Sequence, residues 1–285
     1  MSSYYIQVGT VAVSVIFPDA LLPLIESSVF SAIRTNQWVS ESIHYRITEQ
    51  DGRWLLFRNS RLTHRNQQPI RIVYALEWQI VNDFVKKNKT VLKLHAAALA
   101  QESMGYIFCG APSAGKTSLA ITLMQSGWQF LSDEFALLDS AGQIIPFPRN
   151  LIIKPHLQDK VRIPTNSPVF RVDADIHGKN NAYYLSPQLW GTVLKTGTVP
   201  LRSFIFLEKS DNVGFDLRPI ARYAAFRLLM QNLFNPQILK SDRLDNLLKL
   251  VNSRPVYSLK ISSPLELSLP TRQMLIDQLV RIKND

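Results

Sequence analysis

The sequence predicts an α/β fold organised around a phosphate-binding loop, and three observations carry that prediction. Residues 110–117 read G-A-P-S-A-G-K-T, a complete match to the pattern G-x-x-x-x-G-K-S/T. The four residues before them, Tyr106-Ile107-Phe108-Cys109, are apolar and β-favouring, as a strand entering such a loop should be. The residues after them carry Leu119, Ile121 and Leu123 through a helical stretch that Gly127 closes.

This pattern has a physical purpose. A glycine-bearing turn lets consecutive backbone N–H groups point inward at phosphate oxygens, and the positive end of the following helix adds to their pull. Gly110, Ser113, Ala114, Gly115, Lys116, Thr117 and Ser118 are the candidate cradle residues. Lys116 would reach the β and γ phosphates and the Thr117 hydroxyl would hold magnesium. The expected ligand is a nucleoside triphosphate, ATP, with Mg2+.

Along the chain, residues 1–89 read as a small α+β unit. Strands are predicted over 5–17, 43–48 and 54–57, with a turn at Gln50-Asp51-Gly52. A helix follows over 72–87, where Val73, Leu76, Ile80, Val81 and Phe84 recur at helical spacing and Lys86, Lys87 and Lys89 gather at the end that favours cations. Residues 90–285 read as the nucleotide-binding domain with a C-terminal helical region. Its strands are expected over 91–94, 106–109, 129–131, 135–138, 203–207 and 256–261, and its later helices over 221–234, 242–251 and 271–282. Residues 154–200 are rich in Pro, Asn, Ser and Gly, with the sharpest turn signal at 177–181. They read as an irregular substrate loop.

Composition narrows the function classes. The single cysteine, Cys109, excludes an internal disulfide framework and reads as a small buried residue, in keeping with a cytoplasmic location. The apolar N-terminal run lacks the charged start of a secretory signal and is ended by Pro18 and Asp19, and no stretch is long and uncharged enough for a membrane span. The net charge of +10 is spread evenly: Lys and Arg exceed Asp and Glu by 10 to 7 up to residue 92, 11 to 8 from 93 to 210, and 11 to 7 beyond. No basic run stands out, so nucleic acid is not the expected partner, whereas an acidic peptide or protein would be favoured by steering.

A phosphate loop alone does not separate hydrolysis, transfer and switching. The next informative residues are Ser132-Asp133-Glu134, at the end of the predicted strand 129–131, where a parallel sheet would deliver them to the phosphate edge. Two adjacent acids there can divide the needs of phosphoryl transfer to a hydroxyl, one taking the proton and one standing near the metal.

At this point the chain resembles a known family. His95 ahead of the loop strand, the loop itself, a helix ending in Gly127, the acidic pair Asp133-Glu134 and the run Pro146-Phe147-Pro148-Arg149 followed by Lys154 are together similar to the C-terminal catalytic domain of the HPr kinase/phosphorylases, and more closely to HPr-kinase-related proteins. The resemblance covers roughly residues 94–207. It implies a P-loop nucleotide-binding domain of the HPr kinase C-terminal type, here with the small N-terminal α+β unit and C-terminal helices. Carried over by position, Asp133 is the base, Glu134 joins Thr117 at magnesium, His95 is a polar contact near the phosphates, and Arg149 and Lys154 bind nucleotide or substrate phosphate. Lys116 completes the catalytic set.

Three departures bear on the substrate. The second acid is Glu134 where the family usually has Asp, His95 is followed by Ala96 rather than Gly, and the glycine-rich signature after the acids is missing. HPr itself is therefore not the expected acceptor. Related proteins phosphorylate a serine hydroxyl of a lasso-peptide precursor, so the resemblance implies an ATP-dependent kinase acting on a Ser or Thr hydroxyl of a peptide or small protein. A small-molecule hydroxyl kinase and a nucleotide-dependent switch remain the alternatives. Self-association into a homo-oligomer, with an arginine supplied by a second subunit, is left open.

Overall fold

The computed structural model describes residues 1–8, 11–26, 34–35, 43–87, 92–163, 170–172, 182–194, 197–234 and 241–282. It is a mixed α/β protein that divides into two compact units. Unit 1 comprises Met1–Lys89 and Arg149–Leu189; unit 2 comprises Thr90–Pro148 and Trp190–Asp285.

The N-terminal segment forms β1 (Ser2–Val8), β2 (Val11–Phe17), the short helix α1 (Leu22–Glu26), β3 (Arg34–Thr35), β4 (Ile43–Gln50), β5 (Arg53–Arg58), β6 (Arg61–Asn66) and α2 (Pro69–Lys87). The single strand expected over 5–17 is a hairpin, Ser2 facing Phe17 and Val8 facing Val11. β4 and β5 are joined through Asp51 and Gly52 at φ of 50° and 67°, the left-handed pair that a two-residue hairpin of native twist requires. The six strands make one sheet in the order β3-β1-β2-β4-β5-β6. The helical spacing read in α2 is realised as burial of Ile72, Val73, Leu76, Ile80, Val81 and Phe84.

Unit 2 begins with β7 (Leu92–Gln101), β8 (Met104–Cys109), α3 (Lys116–Met124), β9 (Gln129–Ser132), β10 (Phe135–Leu138) and β11 (Gln143–Ile145). Residues 149–189, expected in the nucleotide-binding domain, cluster instead with unit 1. They supply β12 (Leu151–Ile153), the single turn α4 (Pro155–Gln158), β13 (Phe170–Val172) and β14 (Ala182–Leu185), a three-stranded sheet in the order β12-β14-β13. The segment is therefore more ordered than its composition implied, although the turn expected at 177–181 lies outside the described residues. Its attachment to unit 1 is a buried ion pair between the Arg149 guanidinium and Glu77 of α2, with neighbouring Asn150 also buried.

The chain returns to unit 2 as β15 (Val199–Lys209), β16 (Phe215–Pro219), α5 (Arg222–Gln231), α6 (Ser241–Ser253), β17 (Val256–Ile261) and α7 (Leu269–Val280). Its sheet runs β11-β10-β7-β8-β15-β17-β16, with β9 also on β7. One face of β7, Leu94, Ala96, Ala98 and Ala100, packs in a core with Ala225 and Leu229 of α5 and Leu247, Leu250 and Val251 of α6. On the other face lies α3, whose residues are buried apart from Thr117; small alanines along β7 leave room for helices on both faces.

Candidate functional site

The sheet is mixed, not parallel as the sequence argument assumed, but the edge argument survives for a different reason. β8 and β9 both pair antiparallel to β7, one on each side of it, and so run in the same direction. Cys109 ends β8 opposite Ala96, and Ser132 ends β9 opposite Ala98. Both strands thus deliver their carboxyl ends to one edge, within two residues of each other along β7. Beyond Cys109 comes the glycine loop; beyond Ser132 come the acids.

Close packing and backbone conformation explain the loop's glycines. A Cβ on Gly110 would lie 3.1 Å from the Leu207 carbonyl oxygen of β15, backbone that cannot give way. Gly115 caps α3 at φ 99°, a left-handed conformation few side chains tolerate, and Ser113 takes φ 66° two residues earlier. Left-handed residues alternating with right-handed ones turn successive N–H groups to one side, the concavity that accepts an anion. Inside this turn the Lys116 ammonium donates to the carbonyl oxygens of Gly110 at 2.7 Å and Ala111 at 3.1 Å. Ala114 and Ser118 are buried in the loop's wall, and Pro264 passes beside Gly115.

The acids meet this loop. Thr117, on the first turn of α3, donates its hydroxyl hydrogen to Asp133 Oδ2 at 2.9 Å. The strand conformation breaks at the pair. Glu134 has φ 102°, costly for a residue with a Cβ, while its carbonyl still accepts from the Ala96 N–H at 3.3 Å and the Ser132 hydroxyl ties across to the Phe135 carbonyl at 2.7 Å. A strained backbone fixed by its neighbours on both sides holds two carboxylates at defined positions.

The resemblance assigned Glu134 to the metal with Thr117 and Asp133 to the proton. The hydrogen bond pairs Thr117 with Asp133, the acid that the resemblance makes the base. Magnesium is usually held by one or two protein oxygens together with substrate phosphates, which a threonine hydroxyl and an aspartate fit.

His95 sits two positions from the acids by register, paired with Phe135 of β10. Its N–H is taken by the Asn232 carbonyl at 2.7 Å, and the Phe234 N–H bonds the Lys93 carbonyl at 3.0 Å. The chain just past α5 is thereby stitched to β7 where β8 has departed into the loop. The half-buried imidazole lies 5.8 Å from the Phe234 ring, which stacks on Phe135 at 4.8 Å, and Phe147 meets Phe135 edge-on. This aromatic group flanks the acids, and sequence reading missed Phe234 because its partners lie 99 and 139 residues earlier in the chain.

The two remaining predicted ligands belong to unit 1. Arg149 is 3 % exposed and paired with Glu77, so a phosphate would have to displace a carboxylate to reach it. The same neighbourhood holds Tyr184, whose phenol burial keeps well above its usual range, with Glu77 and Tyr74 adding to the rise and Arg149 opposing it. Lys154 precedes α4 and is exposed. Arg149 thus ties residues 149–189 to α2 within unit 1.

No protein-family model matches the sequence, and no curated protein matches it. Among solved structures, the chain is similar to the Hpr(Ser) kinase/phosphatase from Coxiella burnetii, at 16% identity over 66% of this chain and 93% of that one, with a TM-score of 0.30. A likeness of that degree transfers neither an activity nor a residue.

Proposed function

We propose that this chain is an ATP- and magnesium-dependent kinase that transfers the γ-phosphoryl group to a serine or threonine hydroxyl of a peptide or small protein. The observation that carries the reading is the 2.9 Å hydrogen bond from Thr117 to Asp133, made at the mouth of a lysine-bearing glycine loop. A loop that cradles phosphate and an acid set against its threonine supply the two halves of a triphosphate–metal site.

The roles follow from position. The loop N–H groups of residues 113–118 hold the phosphates, and the Lys116 ammonium exchanges the Gly110 and Ala111 carbonyls for phosphate oxygens. Thr117 and Asp133 would hold magnesium, which when bound neutralises charge on the β and γ phosphates and fixes their orientation. Glu134, next in sequence to Asp133, takes the proton of the acceptor hydroxyl. His95 contributes a polar contact beside the phosphates. The peptide acceptor, with a lasso-type precursor as its narrowest form, and the cytoplasmic setting rest on the sequence resemblance. No helix among the described residues is long and apolar enough to cross a membrane.

The test is transfer of label from γ-labelled ATP, with magnesium, to a peptide encoded beside the gene. ATP hydrolysis with no transfer to any hydroxyl acceptor would overturn the kinase reading. Two variants then separate the acids. Asp133→Asn should lose both magnesium-dependent nucleotide binding and transfer, whereas Glu134→Gln should keep the binding and lose transfer. The reverse pattern would restore the division that the resemblance implied.

A further inference from the structure

Residues 43–66 of unit 1, which form β4, β5 and β6 with their turns, carry five arginines, Arg46, Arg53, Arg58, Arg61 and Arg65, against two acids, Glu49 and Asp51. Arg58 turns toward α2, where Asp83 binds it through two hydrogen bonds of 2.8 and 2.7 Å. Thr63 and His64 face the same way and meet Gln79 of that helix. The register sends another set to the opposite face: Arg46 lies across from Phe57, Arg65 from Leu55, and Leu62 from Phe57 on the other side. Arg53 joins them at the end of the hairpin.

On that face Arg46, Arg53 and Arg65 are exposed, and Leu62 is 47% exposed. The Arg46 guanidinium lies over the Phe57 ring, 5.0 Å from its centroid, an arrangement that holds the cation in place without neutralising it. β6 ends the sheet, with β5 as its one strand partner among the described residues, so its outer main-chain groups face away from any described strand.

We infer that this face and edge bind an extended, acidic polypeptide segment, which adds as a strand beside β6 and sets its carboxylates against the arginines. Charge complementarity selects the occupant. In an added strand every second side chain falls on one face, so acids at alternate positions meet Arg65 on β6 and the positive field of Arg53 on β5 and Arg46 on β4 behind it, while the main chain satisfies the β6 edge. A nucleic acid would engage the arginines but leave the edge N–H and C=O groups to water. The inference goes beyond phosphoryl transfer and holds whether or not the loop of unit 2 belongs to a kinase.

The full chain is titrated into a fluorescein-labelled peptide of alternating glutamate and valine, and anisotropy is followed. Saturable binding that weakens with added salt is expected, falling about tenfold in the double variant R46E/R65E. The same peptide N-methylated at every residue keeps its charge but has no N–H left to pair with a strand, and should not bind. ATP affinity at the loop and the thermal melting point, both unchanged in the double variant, show that the fold and the nucleotide site are intact. Equal binding by the variant, equal binding of the N-methylated peptide, or preference for a single-stranded oligonucleotide overturns the inference.

Discussion

Lys116 in unit 2 and Arg149 in unit 1 are nearly equally buried, 8 % and 3 % exposed, yet the partners they hold include different kinds of group. Lys116 donates to two neutral carbonyls of its own loop, five and six residues away in sequence. Arg149 is ion-paired with a carboxylate 72 residues away on α2. A neutral partner is readily exchanged for a phosphate oxygen, because the charged hydrogen bond that replaces it is stronger. A buried carboxylate is not, since its removal strands a charge in a medium that solvates it poorly. Burial of a cation thus does not mark it as a ligand; the replaceability of its partner does.

The largest effect that tests this contrast falls on stability. Arg149→Ala leaves Glu77 buried without its ion-pair partner, and breaking such a pair costs about 3–5 kcal/mol. Urea denaturation should show the loss, with nucleotide affinity of the folded fraction unchanged. Because two charges are removed together in Glu77→Gln/Arg149→Met, the double variant should recover a large part of it. A stable Arg149→Ala protein with weakened ATP binding would break the comparison and return Arg149 to the phosphates.

The next effect falls on chemistry. Lys116→Ala should reduce turnover by about 10²- to 10³-fold, the scale for removing one preorganised donor from a developing charge. ATP affinity should fall with it, while the denaturation midpoint stays close to that of the parent. Unchanged affinity for ATP would mean that the loop does not cradle phosphate.

The same contrast explains what was legible in the sequence. The loop from 110 to 117 is local: its glycines, its lysine and the threonine that opens α3 are fixed by neighbours within a few residues, so pattern alone found them. The hairpin at Asp51-Gly52 and the apolar stripe of α2 were legible for the same reason. Register and pairing were not. Nothing near Arg149 announces Glu77, 72 residues away on α2, and nothing within residues 149–189 announces that they cluster with unit 1. The acids at 133 and 134 were found, but which one meets Thr117 depends on β9 lying beside β7, a long-range pairing. The arginine face was invisible along the chain because arginines at 46, 53 and 65 form no run; a strand period of two and a hairpin fold gather them.

The smallest effect concerns Cys109, where β8 gives way to the loop. It is fully buried, and burial pushes its thiol up to about 12, against the pull of the nearby Lys116 charge, which favours the thiolate. At neutral pH the group is therefore protonated and inaccessible, and iodoacetamide should label it only after denaturation. The variant Lys116→Ala decides how far the comparison reaches. Losing the ammonium removes an influence that lowers the thiol's pKa, so electrostatics alone would make labelling no faster. If Lys116 serves only the ligand, Cys109 in the variant stays as unreactive as in the parent. If instead its bonds to Gly110 and Ala111 also brace the loop, the variant loop opens more often and labelling accelerates despite the less favourable thiolate. Faster labelling would thus give Lys116 a structural share like that of Arg149, and equal labelling would keep the two cations distinct.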